Sequence, residues 1–595
     1  MRYTLHEPGE KRGVVSNLHG FLLRYLDTGF KTKWSGFWVP PYKFLDYFAL
    51  KVNGVWLDEG TLQAVEYGED FVFHHETDSM KITEKISAPP DLPGFRIELQ
   101  MENKMDSPKA IHAVVEPGID IREKSEDLSD EDYTVETTDN RLLASRKGKK
   151  LVIESEDISD FSGRTEWKQH YPGERQLCVI PPKPVFRSEI GGGAVENFEM
   201  DFKTSEGVFG KVESREQQLQ HELGRVFSCS IESLENLTYA RNGKGIIAGH
   251  PWFQDYWARD SFWSIMGYID AGYFDLSREI LENFAEKGIS GKIGLEADNS
   301  EEIYRADTEP LFIIASEKLR RHSGTSPVIE RARGKAIEKL ETSENIVEHP
   351  PEGTWMDTLE REKAVEIQSL WLEAAEIMGD DRKEELEKGL EEFENGEKYR
   401  DELEGGHKTV NPAIPLMFGQ ASEEVAQKQL EKINGEFSSR YGARTRSVTD
   451  PGYESAGYHT GSVWGLTTCW AAAANLNYGK LQEGVNMLEK LNSMLDRNQP
   501  GAFPEVVDAE SGELLGASEQ AWSAGMLLHV ADSYLLGINV GDDRVEIDPA
   551  GEVSCRRMGK RVGEQSLDLE FQDGKVEVLN DPELEIRTGE RVNGE

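Results

Sequence analysis

Cysteine is scarce in this chain, since only four occur in 595 residues, at Cys178, Cys229, Cys469 and Cys555. Their spacing fits neither a disulfide framework nor a metal site, so we expect buried, reduced thiols and no metal. No apolar run of about 18 residues occurs, and the first residues lack the apolar core of a signal peptide. We therefore expect a soluble, cytoplasmic protein that does not bind membranes.

Basic residues are also few, with 67 Lys and Arg against 110 Asp and Glu, which gives a formal net charge of −43. A surface of this sign repels a phosphate backbone, so we expect no nucleic-acid partner. Two explanations of the acidity remain open. One is ordinary acidic solubility, and the other is adaptation to high salt, in which counter-ions screen the self-repulsion of the fold.

Hydrophobic side chains and tryptophan are well represented. Hydrophobic residues make up 37% of the chain and tryptophan occurs 12 times. The length suits two or three domains with large cores. Tryptophan stacks on sugar faces and offers one N–H donor, although many of these rings are expected to lie in the core.

The pattern along the chain predicts three domains. Residues 1–212 carry short runs rich in Val, Phe and Tyr between Gly, Pro and Asp, which is typical of an antiparallel β-sandwich. Residues 213–536 have helical periodicity. Residues 537–595 return to short alternating runs, which we interpret as a small β-strand appendage.

The helical region is expected to contain twelve helices, with starts near residues 214, 258, 275, 306, 326, 363, 380, 411, 422, 458, 479 and 517. Longer connections between them hold most of the Trp, His and Pro residues. Paired helices with functional residues in alternate connections favour an (α/α)6 barrel, in which six inner helices are ringed by six outer ones. An α-solenoid is the alternative, but its repeats should recur at a fixed period, and none is evident.

Two acids on tryptophan-bearing loops are the main candidates for chemistry. Asp357 ends the sequence Gly-Thr-Trp-Met-Asp, and Glu505 follows a proline in a turn-rich segment that leads to a helix. Ser518 is the expected N-cap of that helix. Glycoside hydrolysis requires one protonated carboxyl and one ionised carboxylate, which this pair would supply. The alternative for each is a solvated surface acid.

Five other polar residues have both a binding and a structural interpretation. Arg259 and Asp260, next to Trp257, form either a clamp for sugar hydroxyls or an ordinary helix start. Asp307 is either a helix cap or a pocket residue. Glu366 is either solvated or a partner of Asp357. His459 is more often a structural donor than a base.

These segments together resemble the amylo-α-1,6-glucosidase portion of glycogen debranching enzymes, and more distantly prokaryotic glucoamylases. The resemblance is carried by residues 253–261, 353–357, 364–370, 458–464 and 504–505 with 520–523, and it covers about 215–536. It implies an inverting, exo-acting α-glucosidase on an (α/α)6 barrel, with no cofactor. By position it implies that Asp357 is the general acid and Glu505 the general base.

The resemblance also implies a substrate pocket and an α-glucan partner such as glycogen, limit dextrin or a maltooligosaccharide. The expected substrate-binding residues are Trp257, Arg259, Asp260, Asp307, Trp355, Glu366, His459, Trp464 and Trp522. The sequence departs from the family at Ala258, where glycine is usual, and at Thr460, where asparagine is usual.

The sequence leaves several functions open. Debranching of α-1,6 linkages, glucoamylase-type α-1,4 hydrolysis and trehalose hydrolysis all fit the same barrel type. An inactive α-glucan-binding protein and a helical scaffold are alternatives of other classes. We expect no glucanotransferase half of the kind found in eukaryotic debranching enzymes, and the oligomeric state is not indicated.

Overall fold

The computed structural model describes residues 1–127, 129–168, 177–296, 303–396 and 398–589. These residues form two compact units. The first comprises Met1–Glu213, Thr238–Arg241 and Asn498–Pro500, and the second comprises Ser214–Leu237, Asn242–Arg497 and Gly501–Glu595.

The first unit is built from antiparallel strands in two large sheets. Its strands up to residue 213 are β1 (Tyr3–Leu5), β2 (Arg12–Ser16), β3 (Phe21–Tyr25), β4 (Gly36–Val39), β5 (Tyr42–Val52), β6 (Val55–Trp56), β7 (Leu62–Tyr67), β8 (Phe71–Glu76), β9 (Met80–Ser87), β10 (Gly94–Asn103), β11 (Lys109–Glu123), β12 (Thr134–Thr138), β13 (Arg141–Arg146), β14 (Lys149–Glu154), β15 (Asp160–Ser162), β16 (Glu166–Lys168), β17 (Cys178–Ile180), β18 (Lys183–Ile190) and β19 (Val195–Thr204). One sheet has the order β1-β7-β8-β9-β10-β19-β14-β13-β12. The other follows β15-β18-β11-β5-β4-β3-β2, with β6, β16 and β17 attached.

Alternating side chains explain how these sheets share a core. In β9, Met80, Ile82, Glu84 and Ile86 are buried, while the alternate residues Lys81, Thr83 and Lys85 are more exposed. Aromatic rings meet across the two sheets, since Phe95 of β10 stacks on Phe48 of β5 with ring centroids 5.6 Å apart. The predicted antiparallel β region is therefore confirmed.

The second unit carries the helices. They are α1 (Gly224–Asn236), α2 (Ala258–Asp270), α3 (Phe274–Lys287), α4 (Thr308–Ser323), α5 (Pro327–Glu338), α6 (Val365–Met378), α7 (Lys383–Glu392), α8 (Ala413–Met417), α9 (Glu423–Lys432), α10 (Gly465–Asn477), α11 (Leu481–Met494) and α12 (Ala521–His529). Short π-helical turns extend two of them, at Ile433–Phe437 and Val530–Leu535. None of the described helices is both long enough and apolar enough to span a membrane.

Contacts between alternate helices return to their starting point. α2 packs against α4, α4 against α6, α6 against α8, α8 against α10, α10 against α12, and α12 against α2. The remaining helices pack on the outside of these pairs, as α11 does on α10 and α5 on α4. The even-numbered helices are mostly buried all round, which is expected of helices in a large core.

Glycine allows the closest of these approaches. A Cβ atom on Gly525 of α12 would lie 2.4 Å from Cα of Ser264 in α2, and one on Gly267 would lie 2.1 Å from the Gly525 carbonyl oxygen. The two backbones are therefore in direct contact, and α12 is held firmly against α2.

Short strands tie the connections of the second unit together. In chain order the strands after residue 213 are β20 (Gln218–Gln220), β21 (Thr238–Tyr239, in the first unit), β22 (Gly245–Ile246), β23 (Gly249–His250), β24 (Tyr256–Trp257), β25 (Lys292–Ile293), β26 (Thr342–Ser343), β27 (Ile346–Val347), β28 (Glu362–Ala364), β29 (Glu402–Glu404), β30 (Val463–Trp464), β31 (Val506–Val507), β32 (Glu519–Gln520), β33 (Ile538–Val540), β34 (Val545–Ile547), β35 (Cys555–Val562), β36 (Gln565–Gln572), β37 (Lys575–Val578) and β38 (Ile586–Thr588). β23 pairs with β32, β24 with β25, β28 with β29, and β30 with β31. Segments distant in sequence are thereby brought to the starts of the helices.

Two predicted helix starts are wrong. The helix expected from residue 214 begins at Gly224, because residues 218–220 pair instead with residues 556–558 of β35. The helix expected from residue 458 begins at Gly465, because Val463 and Trp464 pair with the segment that follows Glu505. The cysteines all lie in the described part of the chain, where they are buried and none forms a disulfide.

Candidate functional site

In the loop that carries Asp357, the side chains just before it, from Thr354 to Met356, are buried. Trp355 is 3% exposed and its indole N–H donates to Oδ1 of Asn411 at 2.8 Å. The amide of Ala306, ahead of α4, donates to the carbonyl of Gly353 at 2.8 Å. Asp357 itself keeps 39% of its side chain exposed. The loop is thus anchored while its carboxyl is left accessible.

Arg361 organises the polar layer beneath this loop. Its guanidinium is fully buried and donates to Oε2 of Glu366 at 3.2 Å and to Oδ1 of Asp401 at 3.1 Å. It also donates to the hydroxyl of Thr354 at 2.7 Å, within the Asp357 loop. A buried guanidinium shared between two carboxylates is held in a fixed geometry.

Glu366 supports the Asp357 loop through Arg361 and does not reach the cavity itself. Its carboxylate is occupied by Arg361 and it does not line the cavity described below, so it lies beneath the loop instead of facing solvent. Of the two interpretations of Glu366, the solvated one is wrong, because Glu366 is buried and paired with Arg361.

Glu505 lies at the buried end of its own loop. It is 2% exposed, and its Oε2 accepts the amide N–H of Ala517 at 2.7 Å. Its Oε1 accepts the hydroxyl of Tyr458. A Cβ atom on Gly516 would lie 2.3 Å from Oε2, so a glycine is needed beside the carboxylate. Two donors and a tight wall hold this carboxylate in one orientation.

The predicted cap of the following helix is wrong. Gln520, and not Ser518, is the N-cap of α12, and no side chain caps that end. Pairing of β23 with β32 extends Glu519 and Gln520 and so delays the helix.

Both acids line one cavity of about 130 Å³ at the starts of α2, α4, α10 and α12. All but two of the predicted site residues line it; those present are Trp257, Arg259, Asp260, Trp355, Asp357, His459, Trp464, Glu505 and Trp522. Asp307 and Glu366 are the two outside the lining. Asp307 instead accepts a hydrogen bond from Nε of Arg259, and so reaches the cavity through that side chain.

The lining also includes residues that the prediction of site residues omitted. Among them are Arg305, Tyr458 and Gln520. Each lies in or close to a sequence motif given above: Arg305 is two residues before Asp307, and Tyr458 and Gln520 begin the segments 458–464 and 520–523. Their place in these motifs was the signal that could have identified them. Their roles depend on contacts with Asp357, Glu505 and Asp260 respectively, which sequence spacing does not show.

Tryptophan rings form an apolar wall of the cavity. Trp355 meets Trp464, Trp470 and Trp522 edge to face, with centroids 5.8, 5.3 and 6.4 Å apart. His459 stacks on Trp464 at 5.5 Å, and its Nδ1 lies 2.7 Å from the Thr358 hydroxyl. Burial lowers the pKa of His459 to about 3, so this ring is neutral. Such a wall is apolar and rigid, as sugar-binding surfaces are.

Several buried polar atoms in or next to the cavity have no hydrogen-bond partner among the described residues. They are Nη2 of Arg259, Oδ1 of Asp307, Oε1 of Gln520 and Nε1 of Trp522. Buried polar atoms are normally paired, because leaving one unpaired costs about 1–3 kcal/mol. Donors and acceptors are both present, which suits hydroxyl groups, since each hydroxyl can donate and accept.

Burial shifts the carboxyl groups of this cavity toward their neutral forms. It raises the pKa of Asp357, with Arg259 and Arg305 opposing the shift. It also raises the pKa of Glu505, opposed by the hydrogen bonds from Tyr458 and Ala517. For Asp260, burial raises the pKa to about 7 despite the neighbouring Arg259. The donors to Glu505 favour its ionised form, and so do the Gln520 amide and the Arg259 guanidinium for Asp260.

The described residues contain no cluster of three or more His, Cys, Asp or Glu side chains suited to a metal ion. What the cavity does contain is three carboxyl groups, of which Asp357 and Glu505 have clearly different surroundings, beside an apolar wall. This is the arrangement that acid–base hydrolysis of a glycosidic bond uses.

Comparisons with known proteins agree with this chemistry. Residues 223–411 match the family model described as amylo-alpha-1,6-glucosidase. Residues 382–523 match a mannosylglycerate hydrolase MGH1-like glycoside hydrolase domain. The first match contains Asp357 and the second contains Glu505. A comparison with curated proteins gave no match.

Solved structures with a similar fold include a bacterial glucoamylase complexed with acarbose. It is 12% identical, with a TM-score of 0.55, and the match covers 90% of this chain and 97% of the glucoamylase. The GH63 mannosylglycerate hydrolase from Thermus thermophilus in complex with glucose is 15% identical, with a TM-score of 0.41, over 51% of this chain and 100% of that one. The first of these likenesses shows a shared fold.

The chain is a glycoside hydrolase, since both family models that match it describe such enzymes. Within that class, residues 223–411 carry the match to amylo-alpha-1,6-glucosidase, which is the family that the motifs resemble. The predicted resemblance is therefore confirmed.

Proposed function

We propose that this chain is an inverting, exo-acting α-glucosidase that releases glucose from glycogen- or starch-type α-glucans, with amylo-α-1,6-glucosidase activity as the principal candidate. One observation carries the proposal. Asp357 and Glu505 line the same tryptophan-walled cavity, and the Asp357 side chain is 39% exposed whereas Glu505 is only 2% exposed.

In this proposal the second unit is an (α/α)6 barrel. The cyclic contacts of α2, α4, α6, α8, α10 and α12 support an inner ring of six helices, with the other helices outside. The three-domain division at residues 212 and 536 is part of the same proposal. The cavity then lies at the mouth formed by the starts of the inner helices.

Asp357 is assigned the general-acid role. Its carboxyl is accessible to a leaving group, and burial raises its pKa, which favours the protonated form that the role needs. It would give its proton to the glycosidic oxygen as the bond to C1 breaks.

Glu505 is assigned the general-base role. The donors Tyr458 and Ala517 favour its ionised form and fix its orientation. It would remove a proton from a water molecule that attacks C1 on the opposite face of the ring. This geometry requires a carboxyl separation of roughly 6.5–9.5 Å and gives β-glucose.

The unpaired atoms of Arg259, Asp307, Gln520 and Trp522 are assigned to the hydroxyls of the terminal glucose. Asp260, which accepts the amide of Gln520 at 3.0 Å, would hold that side chain in place.

A substrate panel tests the proposal. Glycogen, phosphorylase limit dextrin, maltooligosaccharides and trehalose are incubated with the chain, and fresh product is followed by proton NMR. We expect β-glucose as the first product, with the highest rate on limit dextrin. A first product of α-glucose would contradict inversion. Retention on glycogen without any glucose release would instead identify an inactive glucan-binding protein.

A second candidate function is hydrolysis of a small α-glycoside whose leaving group carries a negative charge, such as a carboxylate. Arg305 lines the cavity and its Nη2 lies 3.6 Å from Oδ2 of Asp357, where a leaving group would be bound. The match of residues 382–523 to the MGH1-like domain also favours a small substrate. Adding mannosylglycerate and its glucosyl analogue to the panel separates the two candidates.

A further inference from the structure

A second, larger cavity lies at the other end of the same helices. Its volume is about 480 Å³. It is lined by the last turns of α4, α6 and α10, the final residues of α8, and the π-helical turn after α12, together with Met266 of α2. Residues 537–540 and 548–550 complete its rim. Four helices, α2, α4, α10 and α12, therefore reach from one cavity to the other.

The cationic side chains of this cavity are already matched by carboxylates. Nζ of Lys318 lies 2.9 Å from Oδ2 of Asp270 and 3.1 Å from the Ser533 hydroxyl. Nε of Arg321 donates to Oε1 of Glu317 at 2.8 Å. No strong excess of one sign is left to attract an ion, so a neutral ligand is favoured.

Helix ends argue against an anion in particular. The carbonyl ends of α4, α6 and α10 meet at this cavity, and the C-terminus of a helix carries a partial negative charge. Glu317 and Asp548 lie in the same lining. An anion would have to overcome all of these groups.

The lining nevertheless offers many hydrogen-bonding groups to a neutral ligand. Among the described residues, the Tyr534 hydroxyl has no hydrogen-bond partner. The guanidinium of Arg321 uses only Nε, which leaves its Nη groups available. Nδ2 of Asn477 donates to two backbone carbonyls, which leaves its Oδ1 to accept. Burial raises the pKa of Glu373 to about 7, so this carboxyl can also donate.

Apolar and aromatic surface accompanies these groups. Met266, Ile314, Ile377 and Leu476 line the cavity, and the half-buried ring of Phe418 lies among them. Mixed donors and acceptors around an apolar patch suit a polyhydroxylated molecule with apolar ring faces.

We propose that this second cavity binds a neutral oligosaccharide, namely a short α-glucan chain, at the opposite end of the helices from the catalytic cavity. The choice of an α-glucan over other polyols rests on the proposed function. The greater volume of the second cavity allows more than one sugar ring.

Calorimetric titration of the full chain carrying Asp357→Asn, which prevents hydrolysis, tests this proposal with maltotriose as the probe. Ile377→Trp is added to fill the second cavity. We expect one binding event to disappear in the filled variant while any event at the catalytic cavity stays. Binding isotherms that are identical with and without Ile377→Trp would overturn the proposal.

A matched pair of arginines gives a finer test. Arg320 and Arg321 both lie in the last turn of α4, and both form an ion pair with Glu317. Of the two, only Arg321 lines the cavity. Arg321→Met should weaken the second event about tenfold, as the loss of one or two hydrogen bonds does. Arg320→Met should change it less than twofold. Equal effects of both variants would overturn the assignment of Arg321.

Further arms separate the sources of the sugar. If polymer chains occupy the cavity, Ile377→Trp lowers co-sedimentation with glycogen. If only free oligosaccharides occupy it, Ile377→Trp lowers maltotriose binding and leaves co-sedimentation with glycogen unchanged. Saturable binding of inorganic phosphate, lost in Arg321→Met, without any maltotriose event, would overturn the neutral ligand. Glucose release by the chain with Ile377→Trp alone checks its folding. Absence of release by every active form refutes the proposed function while leaving the binding test valid.

Discussion

At the residue scale, burial raises the pKa of both acids assigned to catalysis, Asp357 and Glu505, but the two carboxyl groups differ in their hydrogen bonds. Asp357 has a guanidinium at 3.6 Å and an accessible face, whereas Glu505 has two donors and almost no exposed surface. Removing groups one at a time separates these roles.

Asp357→Asn should lower kcat on unactivated glucans by at least about a hundredfold, because general acid catalysis contributes that much. The loss should be much smaller on α-glucosyl fluoride, whose leaving group needs no proton. Steady-state rates on both substrates measure the difference. Glu352→Gln, on the same loop and exposed, is the control and should keep wild-type rates. An equal loss on both substrates would argue against the acid role.

Tyr458→Phe should move the acidic limb of the kcat/KM profile to higher pH by about one unit. The Tyr458 hydroxyl lowers the pKa of Glu505, and a hydrogen bond to a charged group contributes about 1.5–3 kcal/mol, where one pKa unit is about 1.4 kcal/mol. Without it the pKa of Glu505 rises further, so the base loses its ionised form sooner as the pH falls.

Tyr453→Phe, whose hydroxyl accepts a hydrogen bond from Arg444 away from Glu505, is the control for this profile. Its acidic limb should match that of the wild type. A limb that moves to lower pH in Tyr458→Phe would contradict the assignment of Glu505 as the base.

At the element scale, the site depends on how closely the helices approach one another. α2 and α12 supply Arg259, Asp260 and Trp522 to the cavity from their first turns, and glycines let these two helices touch. Any separation of the pair moves both sides of the cavity.

Gly525→Ala should therefore destabilise the second unit by about 1–3 kcal/mol, since its Cβ would meet the backbone of Ser264. The midpoint of urea unfolding, followed by tryptophan fluorescence, measures the loss. Gly334→Ala in α5 is a matched control, because nothing lies within 4 Å of its Cβ. That variant should be neutral or more stable by up to about 1 kcal/mol, since alanine favours a helix. Equal midpoints for the two variants would contradict the close packing of α2 and α12.

Helix periodicity predicted most elements because it is a local property. Ten of the twelve expected starts lie within four residues of α2 to α9, α11 and α12, whereas those at 214 and 458 were seven or more residues early. Both errors come from strand pairing with distant partners, residues 556–558 and 506–507, which local pattern does not reveal.

The same limit applied to the site. Residues within one motif, such as Trp355 with Asp357, were predicted together. The ion pair of Arg361 with Asp401 was not, because its partners are 40 positions apart. Asp307 was expected in the pocket, yet it reaches the cavity only through Arg259.

At the scale of the whole molecule, charge is the dominant property. The formal net charge is −43. Acidic side chains are exposed to solvent on helix α7, for example Glu384, Glu387 and Glu391. Like charges at such density oppose the compact state unless salt screens them.

The midpoint of thermal unfolding at pH 7 should rise as KCl increases from 0.1 to about 2 M, because the Debye length falls from roughly 10 Å to under 3 Å. Near pH 4.8, the pI of the sequence, the same addition should have little effect because the net charge is small. A midpoint that is flat or falls with KCl at pH 7 would remove the high-salt interpretation. An equal rise at both pH values would assign the effect to something other than charge.

The ring of helix contacts closes only when α12 reaches α2, and this has a consequence for synthesis of the protein. Residues 505–522 and the helix behind them are among the last of the second unit's helical part to leave the ribosome. A nascent or truncated chain that ends before them contains the assigned proton donor, Asp357, but lacks the assigned base, Glu505, and the closing wall. Under our assignments, hydrolysis therefore begins only once translation has passed α12, and fragments that stop earlier are inert.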